Sequence, residues 1–367
     1  MIQIPEKSDI IKKNTTPVVN SFNEWDPLEE VIVGIIDDIR VPEWDPGLAA
    51  VIPKNSRNFF ISNQARRFPI DQLAAAKKEV DGLANLLTNL GVKVRRPNEL
   101  NHHRPVVTPY FSTGGGFYSA MPRDGLMAIG DMIIETPMAW RSRYFETFAF
   151  RDLLKEYFRM GARWIAAPKP MLPDELWTQN HNPDSDDFHS AITEFEPVFD
   201  AADFMKVGKD IIGQRSHVTN ELGIEWLRQA LGNEYNVLIY EFDDSGPMHI
   251  DTTILPLAPG KVMINKAWVS KIPDFFKDWE LLYPPASTIP ANHPLYMTSN
   301  WIHTNVLMID EKHVIVEAQE KPLIDSFKSW GFETIPCAFR NFQSFGGSFH
   351  CATLDIRRRG SLKSYRI

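Results

Sequence analysis

The sequence predicts an α/β protein in which five ββαβ units close into a ring. Three observations carry this. Four short hairpin patterns recur along the chain, each is followed by a helical pattern and a further strand, and the last strand finds its partner near the first. The hairpins are "LMAIGDMIIE" from Leu126, "FMKVGKDIIG" from Phe204, "ILPLAPGKVMIN" from Ile254 and "VLMIDEKHVIVE" from Val306. Each turns on Gly, Asp or Lys between aliphatic runs, the chemistry of a tight β-turn.

The elements follow in order. After the first hairpin, "RYFETFAFRDLLKEYFRMG" is apolar at helical spacing, closes on Gly161 and leads into "ARWIAAP". After the second, "TNELGIEWLRQALG" opens on Thr219 or Asn220 as a cap and leads into "YNVLIYEF". "IPDFFKDWELLYPP" after the third is a shorter, weaker version, whereas "KPLIDSFKSWG" and "FETIPCAF" after the fourth repeat the plan clearly. The fifth unit combines "EEVIVG" from Glu29, the helix "DQLAAAKKEVDGLANLLTNLG" and "VKVRRP" with the C-terminal "CATLDIR". Closure of the chain ends on each other removes exposed sheet edges. An open α/β sheet with hairpin insertions is the alternative. Long connectors around 41–70, 101–116 and 169–193 interrupt the repeat, and such loops tend to carry function.

The 367 residues are 43% hydrophobic, enough for a sizeable core. With 39 basic against 47 acidic residues, the net charge of -8 gives no broad attraction to nucleic acid or anionic lipid. Cys337 and Cys351 cannot make a disulfide framework, so a reducing, cytoplasmic setting is expected. The first residues lack the apolar run of a signal peptide and read as a loosely ordered tail over 1–20. No apolar run approaches a membrane span.

Local patterns alone leave the chemistry open. Cys351 in "SFGGSFHCATLD" is a reactive thiol or a small apolar residue on a buried strand. In "GPMHIDTT", His249 and Asp251 stand two apart on an expected strand, so both project from one face and suit proton transfer to a cationic group, although a solvated strand face reads the same. Asp200 and Asp203 in "FEPVFDAADF" sit among apolar residues, as structural ion pairs or as a site for a cation. Asp124 in "AMPRDG" opens the first hairpin and is ordinary turn chemistry by itself. "NHNPDSDDFH" lacks the Gly and terminal Glu of a calcium loop, "NHHRP" has no ligand partner at metal spacing, and "STGGGF" lacks the Lys-Ser/Thr of a phosphate loop. No metal, nucleotide or other cofactor is implied.

At "GDMIIETPMAWRSRYFE", "TEFEPVFDAADFMKVGKDIIGQRSHVTNELGIEWLR", "PMHIDTT" and "GGSFHCATLDIRRRGSLKSY", the chain resembles the arginine amidinotransferases. With "SFNEWDPLEEVIVG" near the start, the resemblance runs from about Ser21 to the C-terminus. It implies a pentein-like, five-bladed α/β propeller of pseudo-symmetric ββαβ modules around a central channel, as one catalytic domain over 21–367. It also implies a ping-pong transfer from L-arginine to an amine through an amidino-cysteine, with release of L-ornithine. By motif, the nucleophile falls on Cys351, the general acid and base on His249, and its supporting carboxylate on Asp200. Guanidinium contacts fall on Asp124 and Asp251, with further substrate contacts on Gly246, Met248, Thr298 and Ser299. His350 is expected to be only a neighbour of the nucleophile, and a homodimer is expected from the resemblance alone.

Two departures bear on substrates. Trp268 stands where the family's donor-carboxylate Arg is expected, with Lys266 and Lys271 nearby, and Gly246 replaces the Asn of the glycine-accepting relatives. A smaller residue leaves room for an acceptor larger than glycine. Glycine is the alternative acceptor. A hydrolase of the deiminase type, or a non-catalytic propeller that binds a cation, would use similar residues.

Overall fold

Five three-stranded sheets, one for each expected unit, build the protein in a computed structural model that describes residues 17–366. In every one of them the middle strand pairs antiparallel with one neighbour and parallel with the other. This is one ββαβ module repeated. A tight turn makes the antiparallel pair, and a helical crossover is needed to reach the parallel strand.

The first module joins the two ends of the chain. Leu28–Val33 lies between Thr353–Arg358, antiparallel, and Lys93–Arg95, parallel. Its crossover contains the helix Ile70–Asn89, whose inward face is Ala76, Val80, Leu83 and Leu87. The second module comprises Leu126–Ile129, Met132–Glu135 and Arg163–Ala166, and the third Phe204–Val207, Asp210–Gln214 and Asn236–Tyr240. Ile254–Ala258, Lys261–Ile264 and Glu280–Leu282 form the fourth; Leu307–Met308, His313–Glu317 and Glu333–Cys337 form the fifth.

The helical patterns became Arg151–Arg159, Glu221–Leu231 and Lys321–Ser329. Asn220, not Thr219, caps the second of these, its side chain accepting from Gly223 N. The third pattern makes no α-helix: only the 3-10 turn Asp274–Phe276 stands between Pro273 and the strand that starts at Glu280. The crossover over 265–279 is as long as the one over 318–332 that holds Lys321–Ser329, but here the buried Phe276 and Trp279, packed edge to face, fill the layer in place of a helix.

Hairpin strands such as Leu126–Ile129 and Phe204–Val207 are buried throughout, which explains their continuous aliphatic runs. The third strands are half exposed. Of the expected tail, residues 1–16 lie outside the described ones. Val19 is fully buried and Asn20 bridges to Arg357. Ser21 then pairs with Gly130 and Asn23 with Val207, stitching the segment across the second and third hairpins. No helix among the described residues is long and apolar enough to cross a membrane.

Beneath these strands lies a buried ionic network. Glu24 accepts from Arg123 at 3.2 Å and lies 3.7 Å from Lys206, while Asp355 pairs with Arg123, with Lys206 at 3.6 Å and with Arg358 at 2.7 Å. Three modules and the N-terminal segment are thereby tied together.

Candidate active site

Each module places a polar residue in the turn that enters its first hairpin strand or, in the closing module, its last strand. Asp124 stands two residues before Leu126, Asp200 and Asp203 precede Phe204, and His249 and Asp251 precede Ile254. Asn305 stands two before Leu307, and Cys351 two before Thr353. The repeat thus brings residues far apart in sequence to one place.

Of these, His249, Asp251 and Cys351 line one cleft of about 220 Å³, together with Gly246, Met248, Trp268, Thr298 and Ser299. Val51 and Pro53, from the first long connector, also line it. One ligand atom each from Asp124, His249 and Cys351 falls within 4.8 Å of the others, and all three residues are buried. No lysine or arginine lines this cleft among the described residues.

The backbone around His249 departs from expectation. His249 and Asp251 are not on a strand; they belong to the turn that precedes Ile254, in which His249 adopts φ +70°. Left-handed backbone at a residue other than glycine is uncommon and is retained where the surroundings enforce it. Asp203 does so by accepting the His249 amide at 3.0 Å, while Gln214, Ser216 and Thr219 donate to the same carboxylate. Of the two readings of Asp203, the structural one holds, through hydrogen bonds and not an ion pair. Cys351 likewise precedes its strand, in a turn where Ala352 N donates to Ser348 O. Gly347 permits that turn, because a Cβ there would lie 2.5 Å from Met121 Sδ and 2.8 Å from Cys351 Cβ.

His249 Nε2 donates to Asp200 Oδ2 at 3.1 Å, and Nδ1 lies 3.7 Å from Asp124 Oδ1. Burial pulls the imidazole pKa down, yet the carboxylates of Asp124 and Asp200 outweigh it and hold the ring well above the ordinary histidine value. The Cys351 thiol donates to Asp251 Oδ2 at 3.3 Å. Burial first, then the Asp251 charge, pushes the thiol up to about 12, with His249 opposing. Asp124 is raised, chiefly by burial and further by Asp200 and Asp251, against the pull of His249 and Arg143. For Asp251 burial also acts upward, but His350 and His249 prevail and lower it.

Two residues escaped the sequence reading, and a third does more than it expected. Arg143, fully buried, forms an ion pair with Asp124 Oδ2 at 3.0 Å, forks onto Glu146 and reaches within 3.6 Å of Asp200, so it supports both acids from behind. Asn305 donates to Cys351 Sγ at 3.1 Å. His350 is more than a neighbour: Nδ1 meets Asp251 Oδ2 at 2.9 Å and Nε2 meets Glu24 Oε2 at 3.2 Å, linking the cleft to the ionic network. The repeat could have flagged Asn305, since it is the polar residue before the fourth hairpin.

Other expectations resolve outside the cleft. Lys266 lies over the Tyr283 ring at 3.7 Å and Lys271 is exposed, so neither stands in for an arginine in the cleft wall. His102 of "NHHRP" is a core residue 3.3 Å from Ser119 Oγ, and burial lowers it to about 4. Gly115 and Gly116 of "STGGGF" are small because a Cβ would meet His102 at 2.5 and 2.6 Å. The two discounted motifs pack against each other.

Comparison with known proteins bears on what this constellation does. No protein-family model matches. The chain is 51% identical over 355 residues to the L-arginine:L-lysine amidinotransferase of Pseudomonas savastanoi pv. phaseolicola, covering 96% of this chain and 98% of that protein. The chain belongs to the arginine amidinotransferases. It is also 45% identical to the mitochondrial glycine amidinotransferase of Xenopus tropicalis, over 95% of this chain and 84% of that one. Among solved structures, SxtG, an amidinotransferase of the saxitoxin biosynthetic pathway from Microseira wollei, superposes with a TM-score of 0.87 at 46% identity, covering 95% of this chain and 99% of that one. The inosamine-phosphate amidinotransferase of Streptomyces griseus gives 0.88 at 38% identity, over 96% and 100%. The amidinotransferase fold is therefore the pentein propeller, and the five sheets are its blades. The enzyme is a transferase that acts on arginine.

Proposed function

We propose that this cleft moves the amidino group of L-arginine to a primary amine through Cys351, in two half-reactions. The supporting observation is a surplus of carboxylates around a buried thiol, with no lysine or arginine in the cleft wall. A guanidinium is planar, permanently charged and suited to two carboxylates at once. Asp124 and Asp251 hold it, and its central carbon faces Cys351 Sγ. The bound cation favours the thiolate that burial and Asp251 oppose in the free enzyme, and the thiol proton passes to solvent because His249 already holds one.

In the first half-reaction the sulfur–carbon bond forms, and the carbon–nitrogen bond to the leaving amine breaks. His249, kept protonated by Asp124 and Asp200, gives that amine its proton, and L-ornithine departs. An acceptor amine then gives a proton to His249 and attacks the amidino carbon, and Cys351 leaves as the thiolate. Asp200 orients His249; Met248, Gly246, Thr298 and Ser299 shape the substrate space.

The acceptor is an amine larger than glycine, with L-lysine the first to test. A Cβ at Gly246 would meet only Asp244 Oδ1, at 4.0 Å, so the wall is open there. The relative named for lysine is also more similar than the one named for glycine. Glycine is the second reading, supported by the 45% identity to the glycine enzyme. Residues 21–367 act as one catalytic domain, within a cytoplasmic homodimer.

Ornithine release from labelled arginine, measured with lysine, glycine or no acceptor, tests the transfer. The expected result is sustained release only with an amine, and an amidino mass on Cys351 that disappears in Cys351→Ala. Full-rate release without acceptor would make the enzyme a hydrolase.

A further inference from the structure

Asn305 is fully buried, and its orientation is not ambiguous. Its Oδ1 accepts two backbone N–H groups, from Ser348 at 3.2 Å and Cys351 at 3.1 Å. An amide whose oxygen is committed to two donors must aim its nitrogen the other way, and Nδ2 points at Cys351 Sγ from 3.1 Å. The side chain's anchors lie in the same turn as the sulfur it faces. Another hydrogen-bonding group close to that sulfur is the Asp251 carboxylate, an acceptor at 3.3 Å.

We infer that Asn305 is a catalytic residue of the amidino transfer, a fixed donor that stabilises negative charge on Sγ when the thiol ionises and again when the amidino group leaves it. The inference rests on Cys351 as nucleophile. A neutral N–H adds no net charge, so it assists the thiolate without competing with the substrate cation for Asp124 and Asp251. Hydrogen bonds to a charged acceptor are roughly twice as strong as neutral ones, so this bond gains strength where charge develops. Its place in the fold agrees. Asn305 precedes the first strand of its module by two residues, as Asp124 does in its own.

Asn305→Asp tests it, since the shape and the acceptor for both backbone amides are kept while the donor toward sulfur is lost. Expected are a fall in kcat of about 10- to 100-fold, an unchanged KM for arginine, and slower alkylation of Cys351 by iodoacetamide at each pH below the thiol pKa. Asn305→Ala, read by the same alkylation profile, serves if the aspartate variant does not fold. A folded variant with wild-type kcat and alkylation profile would overturn the inference. Absence of an amidino adduct in the wild-type enzyme would instead overturn the role of Cys351.

Discussion

Two buried charged regions lie side by side in this protein, and they are built on opposite terms. In the ionic network, Glu24 and Asp355 are matched by Arg123, Lys206 and Arg358, and none of those side-chain atoms lacks a partner among the described residues. Both acids are held below the usual carboxylate range: burial acts upward, but Lys206 and Arg123 outweigh it at Glu24, and Arg123 and Arg358 at Asp355. Behind the cleft, Asp124 Oδ1, Asp200 Oδ1 and Arg143 Nη1 have no hydrogen-bond partner among the described residues, and Asp124 is raised. One region is complete as folded. The other keeps buried acid oxygens without a donor, and in the proposed function a guanidinium is the group they would meet.

Removing one carboxylate from each region separates them. Asp124→Asn is expected to lower kcat/KM for arginine by at least about 10³-fold, because a contact to the guanidinium charge is lost. Its thermal stability at neutral pH should hold or rise. The sign follows from the raised pKa: the charged form is disfavoured in the fold, that cost is present above the folded pKa, and it is relieved as pH falls through it. A large loss of melting temperature would break the contrast.

Asp355→Ala should behave oppositely, leaving Arg123, Lys206 and Arg358 without their acid at a cost of about 3–5 kcal/mol. Denaturant unfolding measures it. The lowered pKa of Asp355 means that its contribution is present above the ordinary carboxylate pKa and fades as pH falls through the folded value. A variant as stable as wild type would show that the pairing is incidental.

The smallest effect sharpens the role of the substrate cation. With the thiol pushed up to about 12, alkylation of Cys351 should climb about tenfold per pH unit through pH 9 without levelling. An inert guanidinium salt should accelerate it several-fold at fixed pH by offsetting Asp251. A plateau near pH 7 in the free enzyme would contradict the surplus-carboxylate picture.

Much of the fold was legible because its signals are local. Aliphatic runs broken by Gly-Asp or Pro-Gly-Lys turns marked the hairpins, and Gly161 and Asn220 marked helix ends. The "IPDFFKDWELLYPP" helix failed because its aromatic spacing reports burial, which a compact turn satisfies as well as a helix does. Motif resemblance singled out His249, Asp251 and Cys351, which line one cleft, and Asp124 and Asp200, which lie against His249. It said nothing of Arg143, Asn305 or the two sides of His350, whose importance lies in what they touch.

By itself, then, the sequence determined the repeat, its turns and closing strand, and the residue types able to do the chemistry. Period and turn preference act over a few neighbouring residues, where the chain's own sterics and solvation decide the outcome. Only the tertiary structure decided that the Cys351 thiol meets an acid 100 positions away, that His249 reaches an aspartate 49 positions back through left-handed backbone, and that an asparagine amide faces the sulfur. Those distances depend on how five modules close around one another, and the pKa shifts follow from the burial and charge that closure imposes.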